Sequence, residues 1–471
     1  MAKGHDSNGS RIPISIVTAL VVLLTGLPLG GQQNAFAGRG TTPRGLDQRL
    51  ASEKGTATLD GQETPPQEEQ GGLKKQLGQI IVTPGNGPNL AVADFVARSA
   101  GVEAGVSTFN QVLWADLDFA AVSGLVGKSL YPKALVPDPA SLKFEDWSAD
   151  PAKADYVAFG NLQSTSGLSA DTYLYDVKTK QQLIASRHTG EPRRMAHEFA
   201  DEIVKLLTGR DGIATSKIAY VSGSIRMMDY DGAGGRVFAS DGPTLLFPQF
   251  SPDGRYLAYV SYKSGWPNAV VRSSDGALVG GTHFSATTSS PAISPGGQLA
   301  FSSAFGGDGS MEIYVSNLDG SGARRLTHTP RGVNISPRWN PATGREIAFI
   351  SDRGGSPQVY IMDASGANQR PLIGRGGHAD SPSWSPDGHY VAFTWGGAGS
   401  FQVFVADVAS GALLQLTSRG VNESPTWSPD SRHLAFQSNR SGRWEIWQMH
   451  VDGTGQRQLT HGGGRTPSWG K

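Results

Sequence analysis

The chain has 471 residues, of which 41 are basic and 41 acidic, so no net charge favours binding to nucleic acid or to an anionic membrane. Only 17% of the residues are charged, whereas 62 are glycine and 28 are proline, a composition typical of a β protein rich in turns. The absence of cysteine from the sequence excludes disulfides, thiolate catalysis and zinc sites built from cysteine.

The N-terminus carries the pattern of a cleavable export signal. Lys3 and Arg11 are followed by an apolar core at residues 14–27 and by the small-x-small sequence Ala35-Phe-Ala37. The core is shorter than the roughly 20 residues of a helix that spans a bilayer. We therefore expect residues 1–37 to be a signal peptide cleaved after Ala37, and the mature protein to be exported and not membrane-spanning.

Residues 38–78 differ in composition from the rest of the chain. They are polar, contain no aromatic residue and include the stretch Glu63-Thr-Pro-Pro-Gln-Glu-Glu69. Such a segment buries too little apolar surface to offset its conformational entropy. The sequence therefore predicts a disordered tether at 38–78, which acts either as a spacer or as a partner-binding peptide.

A small α/β domain is predicted at residues 79–213. Its clearest element is a helix at 192–208, which starts with proline, is followed by Gly209 and has an apolar face. The other predicted elements are strands at 89–94 and 154–159, a hairpin of 172–176 with 182–185, and a weaker helix at about 108–119.

One motif in the 192–208 helix is similar to a metalloprotease pattern. His197-Glu-Phe-Ala-Asp201 shares the start of His-Glu-x-x-His, and residues four apart lie on the same helix face. The second histidine of the pattern is missing, and the helix needs its apolar face for packing. The sequence therefore predicts a surface pair of His197 with Asp201 rather than a metal site.

From about residue 214 onward the chain contains a repeated sequence motif, whose typical form is Ser-Pro-Asp-Gly followed by Leu-Ala-Phe. Its first prolines lie at intervals of 43, 46, 45 and 43 residues: Pro248, Pro291, Pro337, Pro382 and Pro425. This period is the length of one four-stranded propeller blade. Ser-Pro-Asp-Gly provides a tight turn, and the apolar residues after it form a buried strand.

The two ends of the repeat region together predict a sixth blade. Pro467 lies 42 residues after Pro425, and only the first strand of a blade fits before Lys471. Three further strands are predicted upstream, at 217–221, 225–229 and 236–238. The sequence therefore predicts an all-β six-bladed β-propeller at 214–471, with a split, terminally closed blade, preceded by the small α/β domain.

Four tryptophans recur at one position of the repeat: Trp339, Trp384, Trp427 and Trp469. Base stacking on a nucleic acid would require aromatic side chains exposed next to a basic surface. With the balanced charge of this chain, we expect these indoles to pack between blades.

One stretch of the sequence runs from Arg193 to Gly209 and continues with Ser216-Lys-Ile-Ala-Tyr-Val221. This stretch resembles the domain junction of the TolB family. TolB proteins are periplasmic propellers of the Tol–Pal cell-envelope system, and the resemblance extends from about Gln79 to the C-terminus. It implies a periplasmic, monomeric, non-enzymatic scaffold without cofactor, which serves outer-membrane integrity and constriction during cell division. In the family a short segment directly after the signal peptide engages TolA. Here some forty polar residues intervene, so a TolA-like partner of the N-terminal segment stays an open alternative.

The loops that lead into each blade vary in sequence between constant flanks, which is typical of a binding face. The resemblance implies that this mouth of the propeller receives a Pal-like peptidoglycan-associated lipoprotein. We expect exposed loop tips there, with two acidic groups on one side and a basic group opposite. The predicted partner-binding residues are Thr287, Ser289, Ser290, Asn334, Ile335, Asp380, Glu423 and Arg465.

The alternative is a ligand-binding or peptidase-associated periplasmic propeller. Propeller peptidases carry an α/β-hydrolase domain with a Gly-x-Ser-x-Gly nucleophile elbow. That pentad occurs nowhere in the sequence, so we expect a protein that is not an enzyme, with no metal and no nucleic-acid partner.

Overall fold

The computed structural model describes residues 67–78, 87–165, 167–374, 376–397 and 400–471. The predicted signal peptide and residues 38–66 of the predicted tether lie outside the described residues. None of the helices in the described part of the chain combines the length and the apolar character needed to cross a membrane.

The first domain is a mixed sheet covered by helices. Strand β1 is parallel to β3 and β4, and β4, β5 and β6 follow as an antiparallel meander, with β2 at the end of β4. The strands are β1 (Asn89–Val92), β2 (Val96–Ala97), β3 (Gly124–Leu125), β4 (Tyr156–Ser164), β5 (Leu168–Asp176) and β6 (Gln182–Thr189). The α-helices are α2 (Glu103–Ala120), α3 (Phe144–Ser148) and α4 (Pro192–Thr208), with α1 (Gln67–Gly78) preceding the domain.

Helix α4 has the bounds that its end signals predict. Pro192 lies at its first turn, and Gly209 ends it in the left-handed region at φ 71°, where glycine is favoured because it has no Cβ. Its apolar face, which includes Phe199 and Ile203, packs against α2 in the core of the domain. Helix α2 begins five residues before the predicted 108–119 helix, at Glu103.

Helix α1 corrects the predicted tether. The prediction of disorder at 38–78 is wrong for its last twelve residues, which form a helix on the side of the propeller. Leu73 and Leu77 are 3% and 0% exposed and pack near Trp427, and Gln76 Nε2 donates to the hydroxyl of Tyr390 (2.9 Å). Two leucines four residues apart share a helix face, and the propeller provides the apolar surface that the segment itself lacks.

The propeller has six four-stranded antiparallel sheets. Blade 1 contains β10 (Leu245–Phe250), β11 (Tyr256–Ser261), β12 (Asn268–Ser273) and β13 (Leu278–Gly281). Blade 2 contains β14 (Thr288–Ile293), β15 (Leu299–Ser303), β16 (Glu312–Ser316) and β17 (Arg324–Arg325). Blade 3 contains β18 (Asn334–Trp339), β19 (Glu346–Ser351), β20 (Gln358–Asp363) and β21 (Arg370–Pro371).

Blade 4 contains β22 (His378–Trp384), β23 (Tyr390–Gly397), β24 (Ser400–Asp407) and β25 (Leu413–Gln415). Blade 5 contains β26 (Asn422–Trp427), β27 (His433–Ser438), β28 (Glu445–His450) and β29 (Arg457–Gln458). Blade 6 is split: β30 (Arg465–Gly470) pairs with β7 (Lys217–Val221), followed by β8 (Ile225–Asp229) and β9 (Arg236–Ala239). This is the predicted closure, and it is confirmed.

The four repeat tryptophans are buried, which confirms the prediction that they pack between blades. Two of them hydrogen-bond to neighbouring segments: Trp427 Nε1 donates to the carbonyl oxygen of Ser383 (3.0 Å), and Trp469 Nε1 donates to Ser216 Oγ (2.8 Å). The closing strand therefore binds to the segment that enters the propeller.

The first domain and the propeller meet at Phe119, near the end of α2. Its ring stacks on His450 (centroids 5.1 Å apart), lies 4.7 Å from the ring of His433, and has the Arg457 guanidinium 3.9 Å from its centroid. The Nε2 atoms of both histidines lie 3.1 Å from the Phe119 carbonyl oxygen. We call these four residues the Phe119 cluster. The cluster joins the first domain to blade 5 by apolar, cation–π and hydrogen-bond contacts.

Candidate functional site

Each first strand of the propeller has an irregularity at its repeat proline. The pairing of the first strand with the second shifts register at this point in all six blades. The residue before each proline has a positive φ of 45° to 56°: Phe247, Ser290, Ser336, Ser381, Ser424 and Thr466. Such a β-bulge accommodates proline, which cannot donate to the sheet. Residues of the bulges of blades 1, 4, 5 and 6 line one narrow part of the central channel.

The residues directly before the bulges form what we call the mouth ring: Leu246, Ser289, Ile335, Asp380, Glu423 and Arg465. Five of these are predicted partner-binding residues, and Leu246 occupies the sixth position. They lie within strands, and all but Leu246 and Arg465 are buried. The expectation of exposed loop tips is therefore wrong, because each first strand already begins before the repeat proline and the neighbouring blades cover it.

The mouth ring has a charged half and an uncharged half. Asp380, Glu423 and Arg465 belong to the consecutive blades 4, 5 and 6, whereas the ring residues of blades 1 to 3 carry no charge. Arg465 therefore lies beside Glu423, in the next blade, and the expectation that it lies opposite the acidic pair is wrong. The charged residues form one arc because they follow one another in the repeat.

Glu423 has an unusual environment for a carboxylate. Its burial, followed by the negative charge of Asp380, raises the pKa of Glu423 to about 7, although Gln437 and Arg465 act in the opposite direction. The side chain of Gln437 donates to Glu423 Oε2 (2.8 Å) and accepts a hydrogen bond from the Thr466 backbone N–H (2.8 Å). Glu423 thus lies at the boundary between blades 5 and 6, and its charge changes near neutral pH.

Burial also lowers the pKa values of two basic side chains nearby. It lowers the pKa of Arg465, which the negative charge of Glu423 partly restores. Burial lowers the pKa of His378 as well, against the opposing effect of Asp380. The backbone N–H of Ser381 donates to Asp380 Oδ1 (2.6 Å). The charged arc is therefore a set of partly desolvated groups whose interactions are stronger than they would be in water.

The remaining predicted residues have partners within the fold. Asn334 donates from Nδ2 to Glu312 Oε2 (2.8 Å) and accepts from Arg353 Nη2 (2.8 Å). The carbonyl oxygen of Thr287 accepts from Ser303 Oγ (2.9 Å). The hydroxyl groups of Ser289 and Ser290 lie 3.2 Å apart. Asn334, Thr287 and Ser290 therefore stabilise the loops of blades 2 and 3.

Sequence reasoning missed Arg338, which lies directly after a repeat proline. The equivalent positions of the other blades carry short or neutral side chains: Gln249, Ala292, Ser383, Thr426 and Ser468. Arg338 lines both the narrow part of the channel at the bulges and the cavity beyond it. A single long cation at an otherwise neutral repeat position was the signal that could have identified it.

The channel widens at the end opposite the mouth ring into a cavity of about 260 Å³. Its wall contains the four repeat tryptophans together with Phe250 and Ile293, which occupy the same repeat position. Prolines of the turns after the first strands surround it: Pro252, Pro341, Pro386 and Pro429. We call this space the axial cavity.

The predicted surface pair of His197 and Asp201 is wrong. His197 is buried, and its Nδ1 lies 2.7 Å from Asp116 Oδ2, whose other oxygen accepts from the Tyr230 hydroxyl (2.6 Å). Asp201 instead accepts from the backbone N–H groups of Ala214 (2.8 Å) and Thr215 (3.0 Å). His197 therefore binds a residue of α2, and Asp201 binds the segment after α4. The spacing of the two residues within the helix does not reveal these partners.

Comparison with known proteins agrees with this architecture. A family model described as the TolB beta propeller domain matches residues 204–471. The TolB homolog of Chlorobium luteolum is 32% identical over 218 residues, which are 44% of this chain and 49% of the relative. The Tol-Pal system protein TolB of Bordetella pertussis is 35% identical over 227 residues, 46% of this chain and 51% of the relative. The chain thus spans about half the length of the curated relatives it matches.

The crystal structure of TolB from Acinetobacter baumannii has the same fold. It superposes with a TM-score of 0.67 at 24% sequence identity, over 82% of this chain and 98% of that one. The superposition includes both the propeller and part of the chain before it. Because the family model matches more than half of the residues, from α4 to the closing strand, the chain belongs to the TolB β-propeller family.

Proposed function

We propose that this chain is a periplasmic, non-enzymatic scaffold of a Tol–Pal envelope system, whose propeller mouth binds a Pal-like peptidoglycan-associated lipoprotein. Family membership supports a binding protein without catalytic activity. The Bordetella relative carries the name of the Tol-Pal system. On this proposal the protein contributes to outer-membrane integrity and to constriction during cell division.

The observation that carries the proposal is the asymmetry of the mouth ring. A partner that approaches this end of the channel meets charges over blades 4 to 6 and uncharged side chains, including Ile335, over blades 1 to 3. Such an arrangement orients a partner of complementary charge and excludes others. Arg465 is only partly buried and is the ring cation available for direct contact with a partner. Asp380 and Glu423 are buried and would influence a charged partner by their electrostatic potential rather than by contact.

The organisation of the chain is part of the same proposal. Residues 1–37 would be removed as a signal peptide by cleavage after Ala37, and the mature monomer would consist of an N-terminal domain at 79–213 and the propeller at 214–471. The segment before residue 79 would be available to a TolA-like inner-membrane protein. Helix α1 indicates that part of this segment would then have to leave the propeller.

Calorimetric titration with the purified soluble domain of the Pal-like lipoprotein from the same bacterium tests the proposal. Arg465→Glu and the double variant Asp380→Asn/Glu423→Gln should each weaken binding at least ~10-fold, equivalent to about 1.4 kcal/mol, without lowering the melting temperature. Arg210→Gln, an exposed site on the other side of the molecule, provides the matched control. Unchanged affinity in both mouth variants would exclude the mouth ring as the binding face.

The second candidate is a ligand-binding or peptidase-associated propeller, which the axial cavity favours because it is a preformed concave site. The same titration separates the two candidates. Absence of measurable binding by the lipoprotein domain, together with binding of a small molecule, would support the second candidate.

A further inference from the structure

The wall of the axial cavity combines indole and proline surfaces with polar side chains, among them Gln249, Ser251 and Thr426. The cavity volume of about 260 Å³ exceeds that of an engineered apolar cavity of ~150 Å³ that holds benzene. The indoles of the repeat tryptophans provide flat surfaces on which a ring or a short aliphatic body can pack. The space therefore suits a ligand with one ring and one small polar group.

Two side chains of the lining, Arg338 and Lys471, are charged, and both are cations. Lys471 is already paired with Asp211 (2.7 Å). Arg338 forms no salt bridge with any other described residue, and its guanidinium Nη1 donates to the carbonyl oxygen of Pro337 (2.9 Å). Burial lowers the pKa of Arg338 to about 10, so the group is charged at neutral pH.

The acidic groups of the channel lie on the other side of the bulges. Asp380, whose negative charge acts on Arg338, belongs to the mouth ring and accepts from its own neighbour, the Ser381 backbone N–H. The two ring carboxylates therefore lie at the mouth, beside Arg465, whereas Arg338 lines the axial cavity. An anion in the cavity would be drawn to Arg338.

Two of the four repeat indoles in the cavity wall have no hydrogen-bond acceptor among the described residues. Of the four repeat tryptophans, Trp427 and Trp469 donate to protein oxygens, whereas the Nε1 atoms of Trp339 and Trp384 are buried without a partner among the described residues. Buried N–H groups without an acceptor are uncommon in folded proteins. Arg338 also keeps guanidinium N–H groups beyond the one that donates to Pro337. Two indole N–H groups of the wall thus have no acceptor among the described residues, and the oxygen atoms of a ligand would provide one.

We propose that the axial cavity binds a small organic carboxylate, whose anionic group is held by Arg338 and whose ring or aliphatic body packs among the repeat indoles. A single guanidinium matches a monoanion, and its planar fork fits the two oxygens of a carboxylate. The indoles give the ring or chain of an organic anion a surface to pack on, which a small inorganic anion does not use.

Phenylacetate is a probe of the required size and charge, and phenylacetamide is its neutral counterpart. Titration of the full chain, followed by saturation-transfer NMR of the probe and by tryptophan fluorescence, should show binding of phenylacetate. Phenylacetamide should bind at least tenfold more weakly, because it lacks the charge that faces Arg338. This comparison uses the unaltered protein and does not depend on the folding of a variant.

Three variants then locate the site. Arg338→Gln should weaken phenylacetate binding at least tenfold, Arg338→Lys should retain part of the affinity, and the exposed Arg331→Gln should retain all of it. Glu423→Gln should leave phenylacetate binding within twofold, which separates this site from partner binding at the mouth. Absence of phenylacetate binding, equal affinity for the amide, or unchanged affinity in Arg338→Gln would each overturn the proposal.

Discussion

Two buried carboxyl groups of blade 5 have pKa values shifted in opposite directions. Glu423 and Asp430 are 5% and 8% exposed and lie seven positions apart in the sequence. The pKa of Glu423 is raised to about 7 by burial and by the neighbouring Asp380. Burial alone would also raise the pKa of Asp430, but the charge and hydrogen bond of His433, helped by Ser428 and Arg432, lower it to about 2.

The partner of Asp430 explains the difference. His433 has Asp430 Oδ2 at 3.1 Å from Nδ1 and the Phe119 carbonyl oxygen at 3.1 Å from Nε2. Both ring nitrogens of His433 thus have protein oxygens as hydrogen-bond partners. His450, which binds the same carbonyl oxygen, has its pKa lowered to about 4 by burial and then by the charge of His433. Asp430 is thus tied through His433 to the Phe119 cluster.

The comparison teaches how to interpret buried charge in this fold. At the domain boundary the charges are paired and hydrogen-bonded, so removing one of them destabilises the protein. In the mouth ring a carboxylate is buried next to another carboxylate, an arrangement that lowers stability and is typical of binding sites. The same strand-turn-strand segment, from β26 into β27, therefore contributes to architecture at one end and to a candidate binding face at the other.

The largest expected effect comes from isosteric charge removal at the two carboxylates. Asp430→Asn should destabilise the protein by about 3–5 kcal/mol, because it removes one partner of the buried, hydrogen-bonded pair of Asp430 with His433. Glu423→Gln is the matched control; it keeps an acceptor for Gln437 and should not lower the unfolding free energy at pH 8. Urea unfolding of both variants measures the contrast. If both variants lowered the free energy of unfolding equally, the pairing of Asp430 would not distinguish it from Glu423.

The next effect is a pH dependence that originates at Glu423. Because the folded pKa of about 7 exceeds the ordinary value, the folded state holds the proton more tightly than the unfolded state. The contribution of Glu423 to the free energy of unfolding is fully present below about pH 4.5. It is lost as the pH rises through 7, by up to ~3 kcal/mol. The difference in unfolding free energy between wild type and Glu423→Gln, followed from pH 5 to pH 8, measures this loss. A constant difference would contradict the raised pKa.

Asp430 should give a smaller dependence of the opposite sign. Its folded pKa of about 2 lies below the ordinary value, so it stabilises the protein above about pH 4, and this contribution is lost as the pH falls towards 2. The loss amounts to ~2 kcal/mol. Thermal unfolding between pH 5 and pH 2.5 should show it in wild type and in Glu423→Gln. If the melting temperature of Asp430→Asn fell equally steeply between pH 5 and pH 2.5, groups other than Asp430 would cause the loss of stability in acid.

The smallest effect is expected for Arg465→Gln. The variant removes a cation that lowers the pKa of Glu423, and because Arg465 is partly exposed, stability should change by less than ~1 kcal/mol. The midpoint of the pH-dependent stability loss should nevertheless move to higher pH. Carboxyl-carbon NMR of Glu423 in the two proteins measures that midpoint. A midpoint at lower pH would place Arg465 outside the reach of Glu423.

The sequence by itself determined the six blades, the closure by residues 465–470 and the helix from Pro192 to Thr208. Each depends on neighbours within a few residues: Ser-Pro-Asp-Gly turns, alternation within strands, and proline and glycine at helix ends. The recurring position of the tryptophans likewise predicted their burial, because strands at the same repeat position face the same neighbours.

Only the tertiary structure decided the environments of the individual polar and charged groups. His197 binds Asp116, 81 residues away in the sequence, and Leu73 and Leu77 form a helix face because blades 4 and 5 provide the apolar surface for it. The pKa of Glu423 depends on Asp380 in the next blade, and the role of Arg338 depends on the channel that six separate strands enclose. Burial and Coulomb interactions act through space, so the local sequence that builds each strand does not specify them.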